Sequence, residues 1–323
     1  MNHWRDHAVP RMRAEALYGD RIVRCFDERP PGLVAMFERS RAAHPDADAV
    51  VCDGSRWSYA QAGAESERIA AGLAALGVGA RDRVVLLLGN RPEFLFVLLA
   101  VQRLGAIAVP VGVREQRPGI AYVARQCEAK AIVFDDELAA RVPDESDAPS
   151  LRLRVAASAL PRLASANGAA PATVAAAETD VAVLLYTSGT TGQPKGAMLT
   201  HLAIAHSALH YEACMRLAAD ERSALAVPAS HVTGLVATIA AMWRVGGAVV
   251  VVREFKADTF VELLARERVT HTLMFARADL SAWRVGGYGG APMPVATIDE
   301  VAARLPRLVL QNAARPRRRR RRR

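Results

Sequence analysis

Short, mostly apolar runs alternate with stretches of helical spacing along most of this chain. That alternation restricts the fold more than any other feature. Val84–Leu88, Ile107–Pro110 and Ala131–Phe134 recur in the first half, and Val181–Leu185, Ala224–Val227, Ala248–Val252 and Thr270–Met274 in the second. Runs this short and apolar on both faces read as strands buried on both sides, the signature of parallel sheets covered by helices. Between them lie helix patterns with recognisable ends. Ser58 can cap a helix to about Leu76, which Gly77 ends, and Asn90 can cap a second one with Pro92 in its first turn, closed by Gly105. Ile120–Cys127, His201–Leu217, Thr233–Trp243 and Asp258–Glu267 read as further helices. The expected fold class is α/β: two α/β subdomains with mostly parallel sheets and a ligand cleft near the strand C-terminal ends.

The expected organisation is a polar lead-in over 1–30, a first α/β subdomain over 31–142, a second over 179–312, and an Arg-rich tail over 313–323. Residues 143–178 are rich in Ala, Pro and Ser with one strand-like patch, Leu151–Val155, and read as a surface connector. Leu235–Val252 is the most apolar long stretch, but Arg244 and Gly246-Gly247 divide it into a helix and a strand rather than a membrane span.

The 323 residues are 51% hydrophobic, which fits a folded globular protein. The net charge of +9 misleads, because eight of the 42 basic residues fall in 315–323 and the remaining 34 stand against 33 acidic ones. A nearly neutral body carries no electrostatic footprint for nucleic acid or an anionic membrane. The four cysteines, Cys25, Cys52, Cys127 and Cys214, form no C-x-x-C pair and no disulfide framework. With no apolar signal core in Met1–Asp20, they fit a cytoplasmic protein.

One loop carries chemistry. Tyr186-Thr187-Ser188-Gly189-Thr190-Thr191-Gly192-Gln193-Pro194-Lys195-Gly196 follows the buried run Val181–Leu185 and concentrates hydroxyls, glycines and one lysine. Glycines let backbone N–H groups approach an anion, hydroxyls add donors, and the lysine adds charge. The spacing is not that of a P-loop, since Lys195 sits between Pro194 and Gly196.

This string, continued by Ala197-Met198-Leu199-Thr200-His201, resembles the phosphate-loop signature of the adenylate-forming superfamily. Its members include acyl-CoA synthetases, peptide-synthetase adenylation domains and luciferases. The resemblance implies activation of a carboxylic acid by ATP and Mg²⁺ to an acyl-adenylate, then thioester formation with CoA. It implies phosphate contacts from Thr187, Ser188, Gly189, Thr190, Thr191, Gly192 and Lys195, with Lys195 also catalytic. Pro228-Ala229-Ser230-His231-Val232-Thr233-Gly234 resembles a later motif, placing His231 beside the carboxylate and adenylate. Gly286-Gly287-Tyr288-Gly289-Gly290-Ala291-Pro292-Met293-Pro294 resembles the adenine loop, with Gly290, Ala291 and Pro292 bordering the ring. Gly89–Phe94 through Gly105–Pro110 resembles an early core motif and reads as structural.

The segment at His231 is more similar to CoA ligases than to amino-acid-activating domains, because Pro228–Leu235 holds no acidic residue for a substrate amine. An apolar acid, fatty or aromatic, is therefore expected. Two departures temper this. Leu308–Asn312 reads as the strand leading to a Tyr-Gly-x-Thr-Glu motif, yet Ala313-Ala314-Arg315-Pro316 and seven arginines follow. The family's C-terminal domain, with its catalytic lysine, is also expected to be missing, leaving this chain a truncated and inactive portion. The distance from Thr270–Phe275 to Asp279–Ser281 is also short for the family and implies an incomplete acyl pocket. The arginine run reads as a basic tail for nucleic acid or membrane, as a localisation signal, or as an out-of-frame stretch of GC-rich coding, the last being favoured. The alternatives are thus a non-catalytic nucleotide-binding fragment, or nucleic-acid binding through the tail.

Overall fold

Alternate side chains of the buried runs point to opposite faces, and each face of each sheet finds its own helix layer. A computed structural model describes residues 10–166, 172–187, 193–272, 283–288 and 295–312. The chain starts with β1 (Met12–Leu17), β2 (Arg21–Phe26), α1 (Leu33–Ala43), β3 (Asp48–Cys52), β4 (Ser55–Ser58) and α2 (Tyr59–Ala75). Next come β5 (Arg83–Leu87), α3 (Pro92–Arg103), β6 (Ile107–Pro110), α4 (Arg117–Gln126), β7 (Ala131–Phe134), β8 (Leu153–Ala156) and α5 (Leu160–Ala166). They are followed by β9 (Val181–Thr187), β10 (Lys195–Thr200), α6 (His201–Met215), β11 (Arg222–Leu225), a π-helix (Thr233–Ala240) and α7 (Ala241–Val245). Last are β12 (Ala248–Val251), α8 (Ala257–Arg266), β13 (His271–Thr272), β14 (Val285–Tyr288), α9 (Val295–Arg304) and β15 (Val309–Asn312).

A six-stranded sheet has the order β10-β9-β6-β5-β7-β8, and a seven-stranded sheet the order β15-β14-β13-β11-β12-β3-β4. Both are parallel except at one edge, where β10 runs against β9 and β4 against β3. Val84 and Leu86 of β5 face the central cluster while Val85 and Leu87 face Ile120 and Val123 of α4. In the other sheet Val249 and Val251 face the centre, and Val250 and Val252 pack with Phe260 and Leu264 of α8. The result is five layers, with α1, α2, α3, α6 and α7 between the two sheets. The α/β class with mostly parallel sheets is therefore what the chain adopts.

Helix α3 occupies the middle of this stack, and every one of its residues except Glu93 is buried. Its two polar residues at the end are each anchored: Gln102 Nε2 donates to the Ala182 carbonyl at 2.9 Å, leaving Gln102 Oε1 buried without a partner, and Arg103 Nε donates to Ser66 Oγ at 3.0 Å with an ion pair to Glu38. The cap expected for α2 is present, with Gln61 N–H on Ser58 Oγ at 3.2 Å and Ser58 N–H on Gln61 Oε1 at 2.9 Å. The cap expected for α3 is not Asn90. Arg91 holds that place with Pro92 following, because the Asn90 carboxamide is engaged across the cleft.

The sheets do not divide the chain at a connector over 143–178. β3 and β4, from the first stretch, join the seven-stranded sheet, and β9 and β10, from the second, join the six-stranded one. Within the expected connector, β8 pairs with β7 and Leu163 of α5 packs on Gly72 of α2. Pairing is decided by which apolar faces meet in space, and chain order does not report that. The lead-in also holds more than expected, an antiparallel hairpin of β1 and β2. Half of its strand residues are exposed, so its apolar signature is weak. Arg29 ties it down through Glu15 at 2.7 Å and Glu178 at 2.8 Å, and Phe26 packs between His206 and His210. Among the described residues no helix is long and apolar enough to cross a membrane.

His271 lies wholly buried in β13, its Nδ1 paired with Ser223 Oγ at 2.7 Å on the neighbouring strand. Burial, with the nearby Arg284 charge, pushes its pKa down to about 4. An unfolded histidine titrates near ~6.5, so this stability is intact above that pH and is lost as pH falls toward 4, about 3 kcal/mol in all. Urea denaturation at pH 7 and pH 4.5 should therefore show a smaller pH-dependent loss in His271→Gln than in the parent. A separate substitution, Phe94→Ala in α3, should lower unfolding free energy by about 3–5 kcal/mol at neutral pH.

Candidate functional site

The loops leaving the C-terminal ends of β5, β6, β9, β11 and β12 carry the chemistry-bearing residues, the end at which open α/β sheets form their crevice. The phosphate-loop candidate is a hairpin. Lys195 pairs with Thr187 in the antiparallel register of β10 and β9, so the loop between them is closed at its base by two exposed side chains. Sequence reading had passed from this loop directly to the helix at His201, missing β10. The helix begins only after that strand, with Thr200 Oγ1 accepting from Ala203 N–H at 3.2 Å. Ser188, Gly189, Thr190, Thr191 and Gly192 lie outside the described residues, as do Gly290, Ala291 and Pro292.

The base of the hairpin rests on α4. Tyr122 Oη donates to the Pro194 carbonyl at 3.2 Å, and Tyr186 Oη bonds to Gln126 Oε1. Burial pushes the Tyr186 hydroxyl pKa up and keeps it a donor. A Cβ on Gly196 would stand 3.1 Å from the Tyr186 ring, so this glycine permits a close strand approach. Tyr122 and Gln126 escaped the sequence reading, although their i, i+4 spacing on α4 puts both on one helix face.

On the other sheet, His231 is exposed in the turn between β11 and the π-helix. Its N–H donates to the Pro228 carbonyl at 3.0 Å, and its own carbonyl accepts from Leu235 at 2.9 Å. Asn90, which follows β5 in the six-stranded sheet, reaches this turn. Its Oδ1 accepts from Ala229 N–H at 2.8 Å, and its Nδ2 lies 3.0 Å from the Leu225 and Val227 carbonyls and 3.2 Å from that of Val252. Gly234 backs the same turn, where a Cβ would collide with the Pro228 carbonyl. The structure thus joins Thr187 and Lys195 as paired neighbours and sets His231 on a loop of the facing sheet. Val113, Val232 and Phe255, exposed by 37%, 49% and 42%, add apolar surface on the loops after β6, β11 and β12.

Asp135, after β7, fixes the rim beside β5. Its carboxylate accepts from Gly89 N–H at 2.7 Å and pairs with Arg91, whose Nε also meets Glu93 at 2.9 Å. Two surface cavities, of about 900 and 220 Å³, lie elsewhere, both lined by Arg39, Glu212 and Arg244. The C-terminal ends of α1, α6 and α7 converge there. Basic side chains at such ends offset the partial negative charge of the last carbonyls. Among the described residues no group of three or more His, Cys, Asp or Glu could hold a metal ion.

The sequence profile of the AMP-binding enzyme family matches residues 37–313. The chain is 32% identical over 281 residues to a feruloyl-CoA synthase from Amycolatopsis sp, covering 82% of this chain and 56% of that protein. It is 31% identical over 267 residues to the long-chain-fatty-acid–CoA ligase FadD13 of Mycobacterium tuberculosis (strain ATCC 25618 / H37Rv), covering 77% of this chain and 53% of that one. The chain therefore spans little more than half the length of these curated relatives. The crystal structure of the N-terminal domain of FACL13 from Mycobacterium tuberculosis, with inhibitor bound, is similar at a TM-score of 0.80 and 27% identity, over 87% of this chain and 75% of that one.

Replacing Asp135 by Ala leaves the Gly89 N–H without its acceptor and removes a partner from Arg91. Unfolding free energy should fall by about 3 kcal/mol, with Asp135→Asn losing less, as read by denaturant titration.

Proposed function

This chain belongs to the AMP-binding enzyme family, and from that premise we propose that it supplies the ATP- and acid-binding part of an acid–thiol ligase. The reaction is ATP-dependent activation of an apolar carboxylic acid, fatty or aromatic, to an acyl-adenylate, followed by thioester formation with CoA. The observation that carries the reading is the hairpin loop closed by Thr187 and Lys195.

A carboxylate oxygen attacks the α-phosphorus of ATP and pyrophosphate leaves. Both partners are anionic, so positioning and charge neutralisation are most of the catalysis. Lys195 is placed to hold the leaving β- and γ-phosphates as a point charge, with the loop from Thr187 through Ser188, Gly189, Thr190, Thr191 and Gly192 supplying N–H and hydroxyl donors. Magnesium enters as the counter-ion of the nucleotide, since Mg²⁺ favours phosphate oxygens and water over all-protein cages. His231 stands beside the acid and its adenylate, and Gly290, Ala291 and Pro292 border the adenine. The absence of an acidic residue from Pro228–Leu235 and the exposed Val113, Val232 and Phe255 favour an acid with no amine. The two relatives named above, one for feruloyl and one for long-chain acyl groups, support the class and leave its range broad.

A narrower reading applies to the 323 residues alone: they bind nucleotide without completing the thioester, because they span little more than half of a complete relative. The nearly neutral body, apart from residues 315–323, gives no reason to propose a specific nucleic-acid partner.

Carboxylate-dependent exchange of pyrophosphate into ATP, measured on the full-length product of this gene, tests the ligase reading. Apolar acids should support exchange; dependence on an amino acid instead would reject it. Lys195→Met should lower the exchange rate by about 100-fold, the size of loss seen when one charge-stabilising donor is removed. Thioester formation by the 323 residues alone would overturn the narrower reading.

A further inference from the structure

We propose that Asn90 is the positioning residue of the turn that presents His231, acting from the opposite sheet. A carboxamide offers two N–H donors and one carbonyl acceptor. Here the acceptor takes Ala229 N–H at 2.8 Å, and the two donors face the carbonyls of Leu225, Val227 and Val252 at 3.0, 3.0 and 3.2 Å. These lie at the ends of β11 and β12, where the parallel ladder stops; its last bond is Val252 N–H to the Leu225 carbonyl at 3.2 Å. Asn90 therefore does for the facing sheet what one more paired residue would do.

The turn is held from its other side as well. The Pro228 carbonyl accepts His231 N–H at 3.0 Å, and Gly234 packs directly behind it. Ser230 Oγ lies 3.9 Å from where a Cβ on Gly112 would stand, so the loop after β6 closes the third side. No other common side chain reproduces the clamp. Asp keeps the acceptor and loses both donors, and Gln carries the amide one methylene too far. The place of Asn90 one residue ahead of the α3 cap explains why a residue suited to capping does not cap.

The consequence for chemistry rests on the ligase reading above. Asn90 itself touches no substrate; it fixes the height of the His231 turn relative to β5 and β9, whose loops would hold the nucleotide. A misplacement of about 1 Å at a reacting centre can cost about 100-fold in rate.

The test combines a readout on the 323 residues with one on turnover. In Asn90→Asp and Asn90→Ala, amide exchange at Ala229 should accelerate at least ~100-fold, the loss of about 3 kcal/mol of local protection. The His231 imidazole resonances should shift while those of His271, buried in β13, stay put. Gly234→Ala, which pushes the same turn from behind, should reproduce both effects even if Asn90→Ala folds poorly. In the full-length product, Asn90→Asp should lower kcat for pyrophosphate exchange by about 100-fold and leave the KM for ATP within threefold. Added to His231→Ala it should cost little more, because the two act as one unit. Unchanged exchange at Ala229 and an unmoved His231 signal overturn the proposal. A fall in kcat accompanied by loss of protection throughout the chain also overturns it, leaving a merely structural asparagine. If no apolar acid supports exchange in the parent but Ala229 and His231 respond as stated, the clamp stands and the ligase reading fails.

Discussion

A helix with sheets on both sides must be apolar on every side, and α3 meets that condition from Phe94 to Val101. Its burial sets the spacing between the two sheets. That spacing in turn decides how far apart the loops at their C-terminal ends stand. The crevice is thus a by-product of packing: α3 fills the space between the sheets, and Asn90 reaches across just before it begins. Large side chains such as Phe94, Leu98 and Trp243 supply the apolar burial in this layer, each worth a few kcal/mol against the entropy of an ordered chain.

Continuous apolar runs and period-3.6 patterns made the parallel strands and their helices legible because both faces of those strands are buried. β6 and β7 occupy the residues their apolar runs mark out, and α2 starts at the cap that Ser58 announces. Elements with little apolar contrast were not legible. The hairpin of β1 and β2 is half exposed and held by the Arg29 ion pairs and by Phe26 at its end. β10, an edge strand with Met198 69% exposed, reads like part of a loop. Sheet membership was hidden for a different reason, since no local pattern tells β3 that its neighbour is β12. At the site, the loop chemistry around Lys195 stood out by composition alone. The part played by Asn90 did not, because a residue before a helix has an obvious local job and its actual partners are more than a hundred residues away in sequence.

The hairpin form of the candidate phosphate loop alters its electrostatics. A loop that opens directly into a helix adds the partial positive charge of the helix N-terminus to any bound anion. Here β10 intervenes, and α6 begins only beyond it. On the ligase reading proposed above, attraction for a polyanion would fall on Lys195 and its loop. Lysine is well suited to this because its flexible stem can follow a leaving group.

The interleaving of the two sheets bears on how the protein is made. Val50 emerges from the ribosome early, but its partner Val249 lies far along the chain, in the second half of the described residues. Ala108 likewise waits for Val183 before the six-stranded sheet can extend past β6. During translation β3 therefore carries an open edge until β12 has been made, and neither sheet can close by itself. Such an edge is a target for mispairing, so the nascent chain should depend on holding factors until β12 has left the exit tunnel.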